Sequence, residues 1–407
     1  MFEIDITSTD WAELRPNSPF YFFVPRDEEL RPEYEQGWKV TEIMREHNVG
    51  FVTARDKFLI DFDKSALTAR IRKFRSAGVS SQELTECYGL KDTSSWSLEE
   101  ARKALQVEAD WETSFAKCLY RSFDIRHIYY SRLMLERPVY QIHRHMLAGE
   151  NLGLVCCRQQ SQVGEWALVG IADNIVESCY ISNKTREINY LFPLYLYPAE
   201  GEMQFEEGHR RPNLNPEFIK VVSEKLGLKF IKDGKGDLKD TWGPEDIFNY
   251  AYAVFHSPTY RSRYAEFLKI DFPRLPLTSG LTLFRALCEK GAELVSWHLL
   301  TNPSLQMMRS QIKYDIKGSN LVEKVRYDDN LQRVYINKTQ YFEGIAPDVW
   351  NFYIGGYHVC EKWLKDRKGR TLTYDDQSHY QDIAIAIKET IRLMTKIDAV
   401  VPGWPVT

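Results

Sequence analysis

Residues 244–277 read PEDIFNYAYAVFHSPTYRSRYAEFLKIDFPRLPL, and we predict that the rest of the chain is organised around them. Pro244 suits the first turn of a helix, where its absent N–H group needs no partner. Ser257 can cap a second helix that begins at Pro258. Aromatic residues recur every three or four positions, which predicts two packed helices followed by a rigid exit loop with several prolines. The residues of this apolar face are Phe248, Tyr252, Phe255, Tyr260, Tyr264, Phe267 and Leu268.

The composition is that of an ordinary globular protein. The 407 residues are 43% hydrophobic and 27% charged, which is enough for two or three domains. The net charge of −4 differs from the basic character of most nucleic-acid binders, although net charge says little about a local patch. Seven cysteines without a CxxC spacing indicate reduced thiols and a cytoplasmic location. We find no metal-ligand spacing and no apolar run long enough to cross a membrane.

The most β-like stretch lies in the middle of the chain. Branched and aromatic residues at 152–157, 166–171 and 188–197 predict strands of a small, mostly antiparallel β region. A long helix is expected over 281–299, with one small gap in its apolar face at Gly291. We therefore predict a multi-lobed α+β fold with several helical segments around the central strands. Its parts are an α/β segment at 1–135, a β-rich part with flanking helices at 136–275, and an α+β part with the long helix and a basic turn at 276–407.

Two polar loops separate the predicted central strands and carry side chains that suit DNA bases. Arginine presents a fork that matches the two acceptors of guanine, and glutamine or asparagine matches the donor and acceptor of adenine. Two such loops on one sheet fit a base-reading surface, but ordinary exposed hairpin loops are polar as well. The candidates are Arg158, Gln159, Gln160 and Gln162 in the first loop, and Asn183 and Arg186 in the second.

Basic residues in several places are candidates for contacts with DNA phosphates. They occur on a predicted helix over 65–76, in the second polar loop and around a turn at 368–370. Lys and Arg side chains neutralise phosphates, although most such clusters only form a solvated surface. The candidates are Arg70, Lys73, Lys184, Lys362, Lys365, Arg367 and Arg370.

Several long phrases of the sequence resemble a known family. They are the stretch at 244–277, TARD at 53–56, RSFDIRHIYY at 121–130 followed by LMLERP, and YFEGIAPDVWNFYIGGYHVCEKWLKDRKGR at 341–370. This wording resembles the C-terminal specificity region of Type ISP restriction-modification enzymes, with Ser122 where the family has proline. Those enzymes join a nuclease, a translocating motor, an adenine methyltransferase and a target-recognition domain in one polypeptide.

The resemblance implies recognition of double-stranded DNA beside an adenine methyltransferase. Residues 1–135 would join the methyltransferase core, and residues 136–275 would read the target. The chain has no Gly-rich cofactor loop, no Asn/Asp-Pro-Pro-aromatic tetrapeptide, no phosphate loop and no metal-nuclease motif, so no catalytic residue is predicted. S-adenosylmethionine, ATP and Mg²⁺ are therefore expected only in methyltransferase, motor and nuclease domains that are supplied elsewhere, in cis or in trans.

Two other functions remain open on the sequence alone. A protein-interaction scaffold that docks onto the methyltransferase and motor domains, without reading DNA itself, would fit the acidic net charge and the aromatic helices. An undetected enzyme is the third alternative, although no catalytic constellation emerges from the sequence.

Overall fold

The computed structural model describes residues 7, 11, 13, 29–161, 164–182, 187–199, 209–314 and 317–406. Helices alternate with small, mostly antiparallel sheets, so the chain has the predicted multi-lobed α+β fold. Within those ranges, none of the helices combines the length and the apolar character that crossing a membrane requires.

Helices occur along the whole described chain, and most of them are short. The predicted helix over 65–76 is observed at Lys64–Arg75, and the one predicted over 281–299 is observed at Leu281–His298. The α-helices are α1 (Arg31–Glu35), α2 (Val40–Ile43), α3 (Asp56–Leu59), α4 (Lys64–Arg75), α5 (Ser81–Tyr88), α6 (Leu98–Val107), α7 (Tyr140–Leu147), α8 (Pro216–Leu226), α9 (Pro244–His256), α10 (Pro258–Arg263), α11 (Ala265–Leu268), α12 (Leu281–His298), α13 (Leu305–Met308), α14 (Pro347–Trp350), α15 (Val359–Lys365) and α16 (Tyr374–Val400).

The strands are short, and the two largest sheets of the described chain have four strands each. The strands are β1 (Trp38–Lys39), β2 (Asn48–Val49), β3 (Ile60–Asp61), β4 (Phe115–Arg121), β5 (Asp124–Tyr129), β6 (Gly153–Cys157), β7 (Val169–Ala172), β8 (Ile175–Val176), β9 (Asn189–Pro193), β10 (Tyr195–Leu196), β11 (Arg211–Pro212), β12 (Lys229–Phe230), β13 (Thr241–Trp242), β14 (Arg274–Leu275), β15 (Arg326–Asp328), β16 (Arg333–Tyr335), β17 (Tyr341–Glu343), β18 (Tyr353–Ile354) and β19 (Tyr357–His358).

The central sheet has the strand order β2-β9-β6-β7 and is antiparallel throughout. Every residue of β6 and β7 is buried, which explains why these strands read as continuous apolar runs instead of alternating ones. Cys157, at the end of β6, pairs with Asn189, at the start of β9. Both polar loops therefore leave the sheet at this one edge.

A second four-stranded sheet joins distant parts of the sequence. Its strand order is β3-β5-β4-β8, and β8 runs parallel to β4, whereas the other neighbours are antiparallel. In addition, β1 pairs with β14 and β2 pairs with β9. Buried apolar residues from Tyr34 to Ile397 form one continuous core. The predicted parts 1–135, 136–275 and 276–407 thus share sheets and a core, and the boundaries at 135 and 275 stay predictions.

The stretch at 244–277 folds largely as its sequence predicts. Pro244 occupies the first position of α9, and the Ser257 hydroxyl accepts a hydrogen bond of 3.0 Å from the backbone N–H of Tyr260 at the start of α10. All seven residues of the predicted apolar face are buried. However, α9 is buried on almost every side and not only on that face, because other helices surround it.

Helix α12 crosses α9 at very close range. A Cβ atom on Gly291 would lie only 1.8 Å from the carbonyl oxygen of Asn249, so a side chain there has no room. Helix α16 packs against both α9 and α12. The hydroxyl of Tyr252 donates to His298 Nδ1 at 2.5 Å, and His298 Nε2 lies 2.8 Å from Thr390 Oγ1 in α16. Burial lowers the pKa of His298 to about 3, so this ring links the three helices as a neutral imidazole.

We predict that Gly291→Ala destabilises the fold by at least about 2 kcal/mol, because α12 must move away from α9. This loss should exceed the gain of about 1 kcal/mol that alanine brings to a helix interior. Urea unfolding followed by circular dichroism measures the difference. Gly78→Ala is the control, since the nearest atom to its new Cβ would be Ser76 Oγ at 3.8 Å. An unchanged unfolding midpoint for Gly291→Ala would contradict the close contact.

Candidate nucleic-acid interface

The described ends of the two polar loops lie side by side where β6 and β9 meet. The backbone N–H of Ser161, in the first loop, donates a hydrogen bond to the carboxylate of Glu187, which follows the second loop. Glu187 is buried and Ser161 is exposed, so this contact is partly shielded from solvent. The part of the prediction that placed both loops on one sheet is consistent with this geometry.

Arg158 and Gln159 follow β6 directly and are both exposed. The Nε atom of Arg158 lies 3.5 Å from Oδ1 of Asp271, and 63% of the Arg158 side chain is accessible to solvent. Such an exposed ion pair is weak, so the guanidinium group can leave it for another acceptor. The other predicted residues of the two loops, Gln162, Asn183, Lys184 and Arg186, lie outside the described residues.

Gln160 is half-buried and takes part in the packing of its own loop. Its backbone N–H donates to the carbonyl of Lys269 at 2.8 Å, next to the exit segment of the 244–277 stretch. Its side-chain Nε2 donates to the carbonyl of Gly164 at 3.2 Å. Gln160 therefore fixes the shape of the loop, whereas Arg158 and Gln159 project from it.

A hairpin from the C-terminal family phrase docks beside both loops. Strands β18 and β19 form it, with Gly355 and Gly356 in its tight turn, and Gly355 has a φ of +55°. The N–H of Gly355 donates to the carbonyl of Ala167 at 2.9 Å, and that of Gly356 donates to the carbonyl of Ile181 at 3.2 Å. The glycine pair is visible in the sequence, but its attachment to the central sheet is not.

A cleft of about 630 Å³ opens between the loops, the hairpin and the helices α10 and α16. Its wall combines the guanidinium group of Arg261 with the side-chain amides of Gln160 and Asn351. Guanidinium and side-chain amide groups can form the paired hydrogen bonds that distinguish guanine and adenine. The carboxylates of Glu165, Glu187 and Asp348 also line the cleft, so acidic side chains outnumber the basic one. Across the described ranges, no cluster of His, Cys, Asp and Glu side chains could hold a metal ion.

Arg261 is a candidate that the sequence analysis missed. Its Nε donates to the carbonyl of Phe255 at 2.6 Å, and no described carboxylate forms an ion pair with it. Burial lowers the pKa of Arg261 to about 10, so the group still carries its charge at neutral pH. The carboxylate of Glu165 in the same cleft favours this charge without forming an ion pair, so the remaining donors of Arg261 suit an acceptor that enters the cleft. Nothing in the local pattern separates Arg261 from Arg263, which pairs with Glu33 at 2.7 Å.

Most of the described phosphate candidates already have carboxylate partners within the chain. The pairs of Lys73 and Lys365 are the more exposed ones, contribute no more than about 1 kcal/mol and can open for a phosphate. Those of Arg70 and Lys362 are half-buried, and all four candidates stay predictions. Arg370 is exposed and lies 4.3 Å from the centre of the Phe62 ring, and it stays a prediction too. The pairs are Arg70 with Asp61 at 2.6 Å, Lys73 with Glu83 at 2.7 Å, Lys362 with Asp366, and Lys365 with Glu361 at 2.8 Å.

Arg367 is different, because only 4% of its surface is exposed. Its Nη2 donates to Oδ1 of Asp124 at 3.0 Å, and its guanidinium carbon lies 3.4 Å from the centre of the Trp363 ring. Burial opposes the charge on Asp124, yet Arg367 and Arg126 outweigh it and lower the pKa of that carboxyl group. Arg367 thus ties α15 to the sheet that contains β5. A side chain this enclosed cannot reach a phosphate, so its prediction as a phosphate contact is wrong.

We predict that Asp124→Asn destabilises the fold by about 3 kcal/mol, because the buried charge of Arg367 loses its nearer carboxylate and keeps only the longer pair with Asp376 at 3.7 Å among the described residues. The pKa of Asp124 is lowered in the folded state, so this stabilisation is present at neutral pH and is lost as the pH falls below about 4. Lys365→Gln, in an exposed pair of α15, should change the free energy of unfolding by less than about 0.5 kcal/mol. If chemical denaturation gave the same change in the free energy of unfolding for both substitutions, the stabilising role of the buried pair of Asp124 and Arg367 would be wrong.

Solved structures with a similar fold include three DNA complexes. A nuclease-deletion mutant of the Type ISP restriction-modification enzyme LlaGI, in complex with a DNA substrate mimic, gives a TM-score of 0.63 at 18% identity, covering 96% of this chain and 31% of that chain. The cryoEM structure of a DrdV–DNA complex gives 0.69 at 18% identity, covering 97% and 41%. The ATP-dependent Type ISP enzyme LlaBIII bound to DNA gives 0.69 at 15% identity, covering 97% and 25%.

At these identities the likeness shows the fold alone. The chain spans less than half the length of each of these proteins. No curated protein matches the sequence. The family model for the Type ISP C-terminal specificity domain matches residues 42–396, which is most of the chain, and confirms the resemblance found in the sequence. The chain therefore belongs to the Type ISP C-terminal specificity domain family.

Proposed function

We propose that this chain recognises a specific sequence of double-stranded DNA and directs catalytic domains that are supplied elsewhere. The observation that carries the proposal is the edge of the central sheet, where two polar loops and the hairpin of β18 and β19 border a cleft with guanidinium and amide groups. Membership of a specificity-domain family supports it. The similar folds of LlaGI, DrdV and LlaBIII, each solved with DNA, add further support.

Each part of the edge has a distinct task in this proposal. Arg158 and Gln159 project from the first loop and read base edges in the major groove, where guanine and adenine present different patterns of donors and acceptors. The second loop, with Asn183 and Arg186, reads neighbouring positions. Arg261 binds an acceptor that enters the cleft. Phosphate contacts position the duplex against this edge but carry no sequence information.

The chemistry belongs to other domains in this proposal. An adenine methyltransferase, a motor and a nuclease, in cis or in trans, bind S-adenosylmethionine, ATP and Mg²⁺, and this chain selects the site at which they act. We also place the system in the cytoplasm, where the seven cysteines remain reduced. Five of these thiols are buried, which fits residues that pack in a core instead of forming disulfides.

A scaffold that only docks onto the catalytic domains is the alternative, and one observation favours it. Four of the predicted phosphate contacts are paired with carboxylates, which leaves less positive charge for DNA. Selection of bound duplexes from a random DNA pool, at low and at moderate salt, separates the two functions. Enrichment of one short sequence that persists at moderate salt establishes base reading, because the phosphate contribution fades with salt. No binding at either salt favours the scaffold.

We expect Arg158→Ala to lose discrimination at one base pair by about 1–3 kcal/mol, or roughly 5- to 150-fold. The fold should tolerate the change, because Asp271 keeps its second partner, Lys39, at 2.7 Å. The measurement is competition binding with every single-base variant of the selected duplex. Arg72→Ala is the control, since Arg72 is equally exposed and also paired, but lies in α4. An unchanged sequence preference in Arg158→Ala would remove Arg158 from the base-reading surface.

We expect Arg261→Met to weaken binding of the selected duplex at least about tenfold, which is the value of one charge-assisted hydrogen bond. The melting temperature of the Arg261→Met protein should stay the same or rise, because the substitution removes a half-buried charge that forms no ion pair with a described carboxylate. Arg263→Met is the matched control, since it breaks the ion pair with Glu33 and should lower stability without changing DNA affinity. Loss of stability with unchanged affinity in Arg261→Met would make Arg261 a structural residue.

A further inference from the structure

We propose that a second surface, distinct from the base-reading edge, holds the phosphate backbone of duplex DNA. This arginine groove is formed by Arg132, Arg137 and Arg144 together with Tyr140, and it has a volume of about 650 Å³. It lies where the chain enters α7, before the two polar loops in the sequence. The inference rests on the proposed function and says where the positioning contacts are made. None of the phosphate candidates taken from the sequence belongs to this groove.

Among the described residues, no carboxylate neutralises the positive charge of the groove. No described acidic residue lines it, and no described carboxylate forms an ion pair with any of its three arginines. Glu136 is the one carboxylate between residues 131 and 141, and it points elsewhere. It accepts a hydrogen bond of 3.1 Å from Nη2 of Arg55 and another from the hydroxyl of Ser95. The segment therefore presents its arginines on one side and its carboxylate on another.

Two of the arginines are held in place by contacts that leave most of their donors available. The guanidinium carbon of Arg132 lies 3.8 Å from the centre of the Tyr140 ring, in a cation–π arrangement. Nη1 of Arg144 donates to the carbonyl of Tyr197 at 3.0 Å. Neither contact neutralises the charge of the arginine, and each contact restricts the arginine side chain before a ligand binds. A site with ordered donors loses less entropy on binding, which favours affinity.

The backbone of Arg137 is held in place by hydrogen bonds, although its side chain is exposed. Its N–H and carbonyl form a bridge with Val52, with hydrogen bonds of 3.0 and 2.9 Å. The side chain therefore extends from a rigid base into the groove. With Arg132 and Arg144 it places three cations around one concavity, which is the arrangement that attracts a densely charged polyanion.

The groove is separated from the base-reading edge by the length of the central sheet. The loops leave at the pair of Cys157 and Asn189, whereas Gly153 pairs with Pro193 at the opposite end, about 13 Å along the strands. Arg144 is anchored beyond that opposite end, at Tyr197. One duplex that contacts both surfaces would thus have its bases read at one place and its backbone held at another. This separation allows the two contributions to be removed one at a time.

The test compares Arg132→Gln/Arg137→Gln with Arg72→Gln/Arg326→Gln in the 407-residue chain. Both double variants lose two exposed arginines, but Arg72 is paired with Glu112, and Arg326 is paired with Asp328 of its own strand β15. Arg144 is not substituted, because it donates a hydrogen bond to the carbonyl of Tyr197. Fluorescence anisotropy gives the affinity for the selected duplex and for a scrambled duplex over a series of salt concentrations. Melting temperatures report on folding.

We expect the groove variant to lose roughly tenfold in affinity per arginine at about 0.1 M salt, equally for both duplexes. The slope of log affinity against log salt should become shallower by about 1.8, which corresponds to two phosphate contacts. Arg132→Lys/Arg137→Lys should restore most of this slope, because lysine keeps the charge. The control variant should retain the wild-type slope.

Three results would overturn the inference. Wild-type slope and affinity in the groove variant would show that the groove does not touch DNA, while a loss of discrimination in Arg158→Ala would still support the proposed function. An affinity loss with an unchanged slope, or one confined to the selected duplex, would exclude a phosphate contact. Wild-type chain that binds neither duplex at the lowest salt would reject the groove and the proposed function together, and would favour an acidic protein surface as the partner.

Discussion

The close approach of α12 to α9 is the constraint on which the rest of the structure depends. Helix α9 has almost no exposed side, and α12 approaches it backbone to backbone where Gly291 meets the carbonyl of Asn249. The hydroxyl of Tyr252 and the ring of His298, which are enclosed nearby, are hydrogen-bonded to each other. Once α9 is fixed, α10 follows it directly, and its direction places Arg261 at the wall of the cleft.

The sequence was sufficient for the features that local chemistry controls. Proline at a first helical position, a serine cap and apolar periodicity predicted the starts of α9 and α10 and the extent of α12. Continuous branched and aromatic runs predicted β6 and β9, and with them the two loops. The periodicity described α9 as a helix with one buried face, whereas it is surrounded. The small side chains of Ala251 and Ala253, which carry little periodic signal, form part of its other buried faces.

The candidate site was less predictable, because its parts come from distant positions. The choice of partner for a charged group depends on tertiary packing, which spacing does not reveal. Lys365, Arg367 and Arg370 stand within six residues, yet the first is in an exposed pair, the second is buried against Asp124 and the third is exposed. The hairpin of β18 and β19 meets the loops from the far end of the sequence. Likewise, the fact that no described carboxylate forms an ion pair with Arg261 can be recognised only when its neighbours are known.

The anchoring of the first polar loop has a consequence for how such a chain can diversify. The loop begins at β6, which is buried and hydrogen-bonded to both β9 and β7, and it leads to β7, which is buried and paired with β6, so the scaffold does not rely on Arg158 or Gln159 for its stability. Substitutions at these two positions are therefore nearly neutral for folding. Substitutions can accumulate at these positions without compensating mutations in the core. The same scaffold can change its ligand preference through substitutions at a few exposed positions.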